Sequence, residues 1–349
     1  MIDSTSLPRR GFVSAMAFAA ASVAVPAVFA QSKPEKPRIV LALDTKAAFY
    51  YLPLTIAEQL GYFKTEGVDV EFMDLPTSAR AQQALASGAA DVCAAAFEST
   101  LQLQSRSQFV RSFVLQGRAP QCALGFSAKA LPATSSVADL RGKKIGVPAL
   151  GSSSHLLANT VLSKAGVTPI DVAYVAVGGG SAALAALRTG QIDAISHTDP
   201  VMTTLELRGE VKTLSDARTL TGAQAAFGGT MPAACLYAPI EFVQQNPKTC
   251  QALTYAIVHA LKWLQTSGPS DIIKTVPESY LLGDRGLYLA SFSKLQDAIC
   301  PDGVMPDDGP RTALRALTGF DPAIELRKID LRKSFTNDMA RRAKERFKA

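Results

Sequence analysis

The 349-residue sequence predicts an α/β fold of two similar lobes. Two stretches about a hundred residues apart carry that reading. They are Ser87-Gly88-Ala89-Ala90-Asp91-Val92 and Thr189-Gly190-Gln191-Ile192-Asp193-Ala194. Each reads as a helix end, a stopping glycine, and an acidic residue that opens an apolar strand. The match continues upstream. Strand-like runs at Ile39–Leu43 and Lys144–Val147 are each followed by a loop and a helix ending near Gly61 or Gly166. A second strand-like run follows, Val70–Leu75 or Val172–Val177. A βαβαβ unit of this kind builds half of an open parallel sheet, with a ligand crevice beyond the strand C-termini. Two such units facing each other form a cleft that can close on a small molecule.

Taken in order, residues 1–30 form a leader. Arg9-Arg10 precede Gly11-Phe12-Val13 and an alanine-rich apolar run that ends at Ala27-Val28-Phe29-Ala30. This predicts a twin-arginine signal peptide cut after Ala30 and export to the periplasm, with a Sec signal or an uncleaved anchor as alternatives. No cysteine sits at the cut, which argues against a lipid anchor. The remaining chain of about 320 residues is long enough for two sizeable cores. The net charge of +6 shows no basic stripe with interleaved aromatics, so nucleic acid is not an expected partner. The basic tail Arg332–Lys348 reads as a solvated amphipathic helix. Among the five cysteines no CxxC or Cys/His cluster occurs, so no metal or other cofactor is expected. Burial as small apolar residues is the expectation for most of them.

The candidate site residues fall in the loops after the strands. Phe49-Tyr50-Tyr51 follows the first strand, and Tyr50 and Tyr51 offer flat apolar area with hydroxyl handles. Thr77 and Ser78 open the next helix, either as caps or as ligand contacts. Phe97 and Glu98 follow the strand Asp91–Ala95; Phe97 suits core or pocket wall, and Glu98 ligand contact or first helical turn. In the second unit, Gly151-Ser152-Ser153-Ser154 leads into a helix starting near His155. One serine suffices for a cap, so Ser152, Ser153 and Ser154 together predict an anion-binding loop at a helix N-terminus. His155 can face either core or cleft. His197 and Asp199 follow the strand Asp193–Ser196, as a ligand contact and as an N-cap or ligand partner respectively. Gly178-Gly179-Gly180-Ser181-Ala182-Ala183 fits a dinucleotide fingerprint but belongs to the repeat, and no acid–base domain accompanies it. No residue is assigned a catalytic role.

The last segment begins with the apolar run Ala233–Ala238, read as a strand returning to the first lobe. Helical stretches follow at Ile240–Gln245, Thr249–Thr266, Asp271–Val276, Leu287–Ile299 and Asp308–Leu317. The runs Ala123–Phe126 and Ala233–Tyr237 read as crossovers. The expected division is therefore residues 36–126 plus 233–349 as one lobe and 127–232 as the other.

Several motifs resemble one family. Leu54-Thr55-Ile56-Ala57-Glu58-Gln59-Leu60-Gly61-Tyr62-Phe63-Lys64-Thr65-Glu66-Gly67-Val68 is similar to the opening signature of the nitrate/sulfonate/taurine branch of ABC-transporter substrate-binding proteins. So are Asp139-Leu140-Arg141-Gly142-Lys143-Lys144-Ile145-Gly146-Val147, the loop Gly151–His155, and Asp193-Ala194 with Pro200. The resemblance implies a two-lobed type II periplasmic binding protein whose lobes are joined by two crossing hinge strands. It further implies a non-catalytic monomer that binds a small anion of sulfonate or carboxylate type and delivers it to an ABC permease. Sulfonate binders of the family often carry tryptophan near His197, and this chain has none there. The alternative is an enzyme on the same scaffold, acting on a small organic acid or a pyrimidine precursor.

Overall fold

The computed structural model describes residues 33–132, 135–281, 283–321 and 323–349. The expected leader, residues 1–30, lies outside them. Two five-stranded mixed sheets form the frame. The first lobe holds β1 (Arg38–Asp44), β2 (Asp69–Leu75), β3 (Val92–Ala96), β4 (Val110–Leu115) and β10 (Ala234–Pro239). Its order is β2-β1-β3-β10-β4. The second lobe holds β5 (Cys122–Ser127), β6 (Lys144–Val147), β7 (Ala173–Ala176), β8 (Ala194–Thr198) and β9 (Val211–Asp216), ordered β7-β6-β8-β5-β9. In each sheet four strands run in one direction, and one returning strand, β10 or β5, runs antiparallel between its two neighbours.

The repeated glycine and acid have a physical explanation. Gly88 and Gly190 adopt left-handed φ values of +76° and +75°, which end their helices at no side-chain cost. The acids then stitch the parallel strands together. Asp91 Oδ2 accepts the Val40 N–H at 3.1 Å, and Asp193 Oδ2 accepts the Lys144 N–H at 2.9 Å. Each acid satisfies a backbone donor at the start of the neighbouring strand.

Two antiparallel crossings join the lobes. Residues 116–121 lead from β4 to β5, and residues 228–233 lead from the helix Leu220–Phe227 to β10. They run side by side: Ala233 N–H donates to Gly117 O at 2.8 Å, and Gln116 N–H donates to Ala234 O at 2.7 Å. This topology corrects the expected first-lobe limit at Phe126. All of β5 belongs to the second sheet, paired with β8 and β9, so the crossing precedes Cys122. Every residue of β5 is buried, and a central strand reads as a continuous apolar run whichever sheet owns it. Strands β4 and β9, at one edge of each sheet, were not singled out by the sequence reading.

The chain after β10 is helical and packs largely on the first lobe. The helix Pro247–Thr266 buries Leu253, Ala256, Ile257, Ala260, Leu261 and Leu264 along one face, the spacing of a core-facing helix. The expected tail helix is broken: Leu331–Ser334 and Asp338–Phe347 are separate, with Phe335 extended between them. Thr336 N–H there donates to Ser112 O at 2.8 Å, and Ser112 pairs with Phe335 as a β-bridge. Among the described residues no helix is long and apolar enough to cross a membrane.

Candidate functional site

One contact joins the lobes at the C-terminal ends of their strands. The Ser153 hydroxyl, at the start of the helix Ser153–Lys164 in the second lobe, donates to Glu98 Oε1 at 2.6 Å. Glu98 occupies the first turn of the helix Glu98–Ser105, just after β3 in the first lobe. It is 4% exposed, and its Oε2 is buried without a hydrogen-bond partner. Burial pushes the Glu98 carboxyl above the usual carboxylate range, with the Ser153 bond opposing. Tyr50 sits beside this pair. Its hydroxyl is buried with no hydrogen-bond partner of good geometry, and burial together with the nearby Glu98 raises it well above an ordinary phenol.

The serine loop opens the helix Ser153–Lys164. Gly151, at φ +83°, turns the chain, and its N–H donates to His155 Nδ1 at 2.9 Å. Ser152 caps the helix by accepting the His155 N–H at 3.3 Å. That leaves Ser153 and the open end of a 12-residue helix facing Glu98. Ser154 is 2% exposed; its carbonyl accepts the Ser196 hydroxyl at 2.7 Å, and its own hydroxyl lies against Cys122. His155 stacks edge-on against Tyr174 at 4.2 Å, and burial lowers its pKa to about 4.

Other candidates are placed elsewhere. Tyr51 is 3% exposed and donates its hydroxyl to Asp44 Oδ1 at 2.8 Å, inside the first lobe. Phe97 is fully buried and packs edge-on against Phe335 at 6.4 Å. Thr77 caps its helix by accepting the Arg80 N–H, and Ser78 accepts from Gln82 Nε2 at 3.4 Å. His197 is buried, with Nε2 2.9 Å from Gly178 O and Nδ1 3.2 Å from Thr198 O. Burial lowers its pKa, so a neutral ring serves one carbonyl at a time. Asp199 is turned inward and accepts the Thr203 N–H at 2.7 Å. Of the candidates, Tyr50, Glu98 and Ser153 lie together, with Ser152 capping the helix beside them and Ser154 and His155 in its first turn.

The sequence reading missed Arg218. It is 1% exposed and ties three acids together: Asp199 at 3.4 Å, Glu206 at 2.7 Å and Asp216 at 2.6 Å. Lys294, from the helical segment after β10, joins the group through Glu206. Burial would raise Glu206, but hydrogen bonds from Arg218 and Lys294 outweigh it and hold the carboxyl at about 2. Asp216-Ala217-Arg218 looks like ordinary loop polarity, so only tertiary packing reveals the cluster. Gln116 and Gln121, on the first crossing, also hide unpartnered amide atoms. Two cavities of about 230 and 420 Å³ share Arg118 on that crossing, and neither is lined by Tyr50, Glu98 or Ser153. All five cysteines are free and buried.

Residues 48–267 match the model of a family described as NMT1/THI5 like, and the chain belongs to that family. A solved protein of Bordetella bronchiseptica RB50 is 50% identical, with a TM-score of 0.85, over 91% of this chain and 100% of its own. The alkanesulfonate-binding protein SsuA of Xanthomonas axonopodis pv. citri, bound to MOPS, aligns at a TM-score of 0.67 and 19% identity, over 88% of this chain and 99% of its own. A 4-amino-5-hydroxymethyl-2-methylpyrimidine phosphate synthase of Candida albicans (strain WO-1) is 26% identical over 232 residues, 65% of this chain and 67% of that protein. The fold is that of periplasmic binding proteins, two βαβ-based lobes joined by two crossing strands.

Proposed function

We propose that this member of the NMT1/THI5-like family is an exported receptor. It captures a small organic anion of sulfonate or carboxylate type between its lobes and delivers it, unaltered, to an ABC permease. The observation that carries the reading is the Ser153–Glu98 contact, made across the lobes at the mouth of a helix N-terminus. Closing the lobes assembles one site from two half-sites. Helix N-terminal N–H groups and the Ser153 hydroxyl supply donors for an oxyanion. The likeness to a MOPS-bound alkanesulfonate binder supports the same ligand class.

The likeness to the Candida synthase favours a second reading, an enzyme on this scaffold acting on a pyrimidine precursor. The groups around the corner speak for the receptor. Burial holds the Cys122 thiol protonated, with its pKa pushed up to about 12, and the Nδ1 of His155 is taken by Gly151. A thermal-shift screen of alkanesulfonates, taurine, aromatic carboxylates, nitrate and pyrimidines tests both readings, because a ligand that binds only the folded state raises Tm. The expected result is a rise with one or more anions, each recovered chemically intact after incubation. A rise confined to pyrimidines, with conversion to a new product, would sink the receptor.

A further inference from the structure

The geometry points to Glu98 acting as a neutral carboxylic acid that donates a hydrogen bond from Oε2 to the anionic head of the ligand, so that capture takes up one proton. This rests on the anionic ligand proposed above and names how the first lobe meets it.

The argument starts from surroundings. Glu98 is 4% exposed; its carboxyl accepts the Ser153 hydroxyl on Oε1 at 2.6 Å and meets its own backbone N–H, and Oε2 is left without a partner. No lysine or arginine pairs with it among the described residues. The titratable groups that face it are Tyr50 from the loop after β1, Cys122 from β5 and Cys235 from β10. Burial holds all three protonated and neutral at ordinary pH. An ionised carboxylate in such a place would carry an uncompensated charge, which a buried group avoids by taking a proton.

With Oε1 occupied as an acceptor, the proton belongs on Oε2, the oxygen with no partner. Tyr50 presents a second buried hydroxyl at the same corner, beside Ser153 and with no partner of good geometry. The helix end and Ser153 add further donors. A closed corner made of donors and free of formal charge suits an oxyanion; a carboxylate there would repel one. An acid kept neutral by an apolar setting can donate in this way at neutral pH.

In the open state Glu98 meets water, ionises in its ordinary range, and must be protonated for closure on the ligand. Affinity is therefore full below that range and falls as pH rises, by up to about tenfold per pH unit, until the raised pKa of the closed state is passed.

Isothermal titration calorimetry in buffers of different ionisation enthalpy reads this directly. The probes are simple alkanesulfonates and benzoate, whose own charge is fixed above pH 6. Wild type is expected to take up close to one proton per ligand at pH 7 and to bind more weakly at pH 8 than at pH 6. Glu98→Gln, whose amide can still donate, is expected to lose both the proton uptake and the pH dependence. Glu98→Ala is expected to weaken binding tenfold or more, with melting curves confirming that both variants fold. Binding by wild type without proton uptake, or tighter binding at higher pH, would overturn the role of Glu98 alone. Failure of every anion to bind at any pH would overturn the anionic ligand and this contact with it.

Discussion

Glu98 and Asp199 lie one position apart in the register of the two repeats, each just past the third strand of its unit, yet their surroundings are opposite. Asp199 is 3% exposed and surrounded by donors: Thr203 N–H at 2.7 Å and Arg218 Nη1 3.4 Å from both carboxylate oxygens. Burial pushes its carboxyl up, and the guanidinium opposes that. Glu98 is equally buried, and the one side chain that bonds it among the described residues is a serine hydroxyl from the other lobe. The second-lobe acid is committed to its own lobe. The first-lobe acid is shared between lobes. A repeated backbone thus carries two different chemistries, set by which side chains neighbouring elements bring.

The most severe way to break the contrast is Arg218→Met. It would leave Asp199 buried opposite no cation, and urea unfolding should show a loss of about 3–5 kcal/mol. A loss under about 1 kcal/mol would mean that Asp199 is no better anchored than Glu98.

A finer test uses pH. His155 titrates at about 4 in the folded chain against an ordinary 6.5, so the stability it contributes is full above pH 6.5 and is lost as pH falls toward 4. Glu98 has the opposite sign in the closed form: its pKa is raised there, so its contribution to that form is full below the ordinary carboxylate range and is lost as pH rises. His155→Gln and Glu98→Gln should therefore tilt the profile of Tm against pH in opposite senses. Parallel tilts would show that the two corners do not differ in this way. The smallest expected effect is that of Ser153→Ala, which removes one interlobe hydrogen bond of about 0.5–1.5 kcal/mol. Small-angle scattering should show a larger radius of gyration; an unchanged value would mean that other contacts set lobe closure.

The legible parts of this chain are those with local causes. Gly88 and Gly190 announce left-handed helix ends, and the acids three residues on announce strand starts, because both roles are fixed within a few residues. The serine cap at Ser152 was readable for the same reason. Long-range pairing was not. Nothing near Phe126 reveals that β5 pairs with β8 and β9 and so belongs to the second sheet. Phe97 and Tyr51 have the composition of pocket residues, and that composition does not reveal their packing against Phe335 and Asp44. Arg218 lies in an unremarked loop, and its three acids come from separate elements. Glu98 was named, but its missing partner is a fact of packing that no sequence pattern encodes.

The buried cysteines bear on how such a chain meets an oxidising compartment. Oxidation proceeds through the thiolate, and Cys93, Cys122, Cys250 and Cys300 are pushed up to about 12, with Cys235 also raised. At neutral pH such thiols stay protonated, and burial also keeps oxidants from them. An unfolded chain would offer five ordinary sulfurs, an odd number, to whatever forms disulfides outside the cytoplasm. A leader of the twin-arginine kind, expected here from Arg9-Arg10, carries its cargo across already folded. Export by that route would hide the sulfur before the oxidant is met.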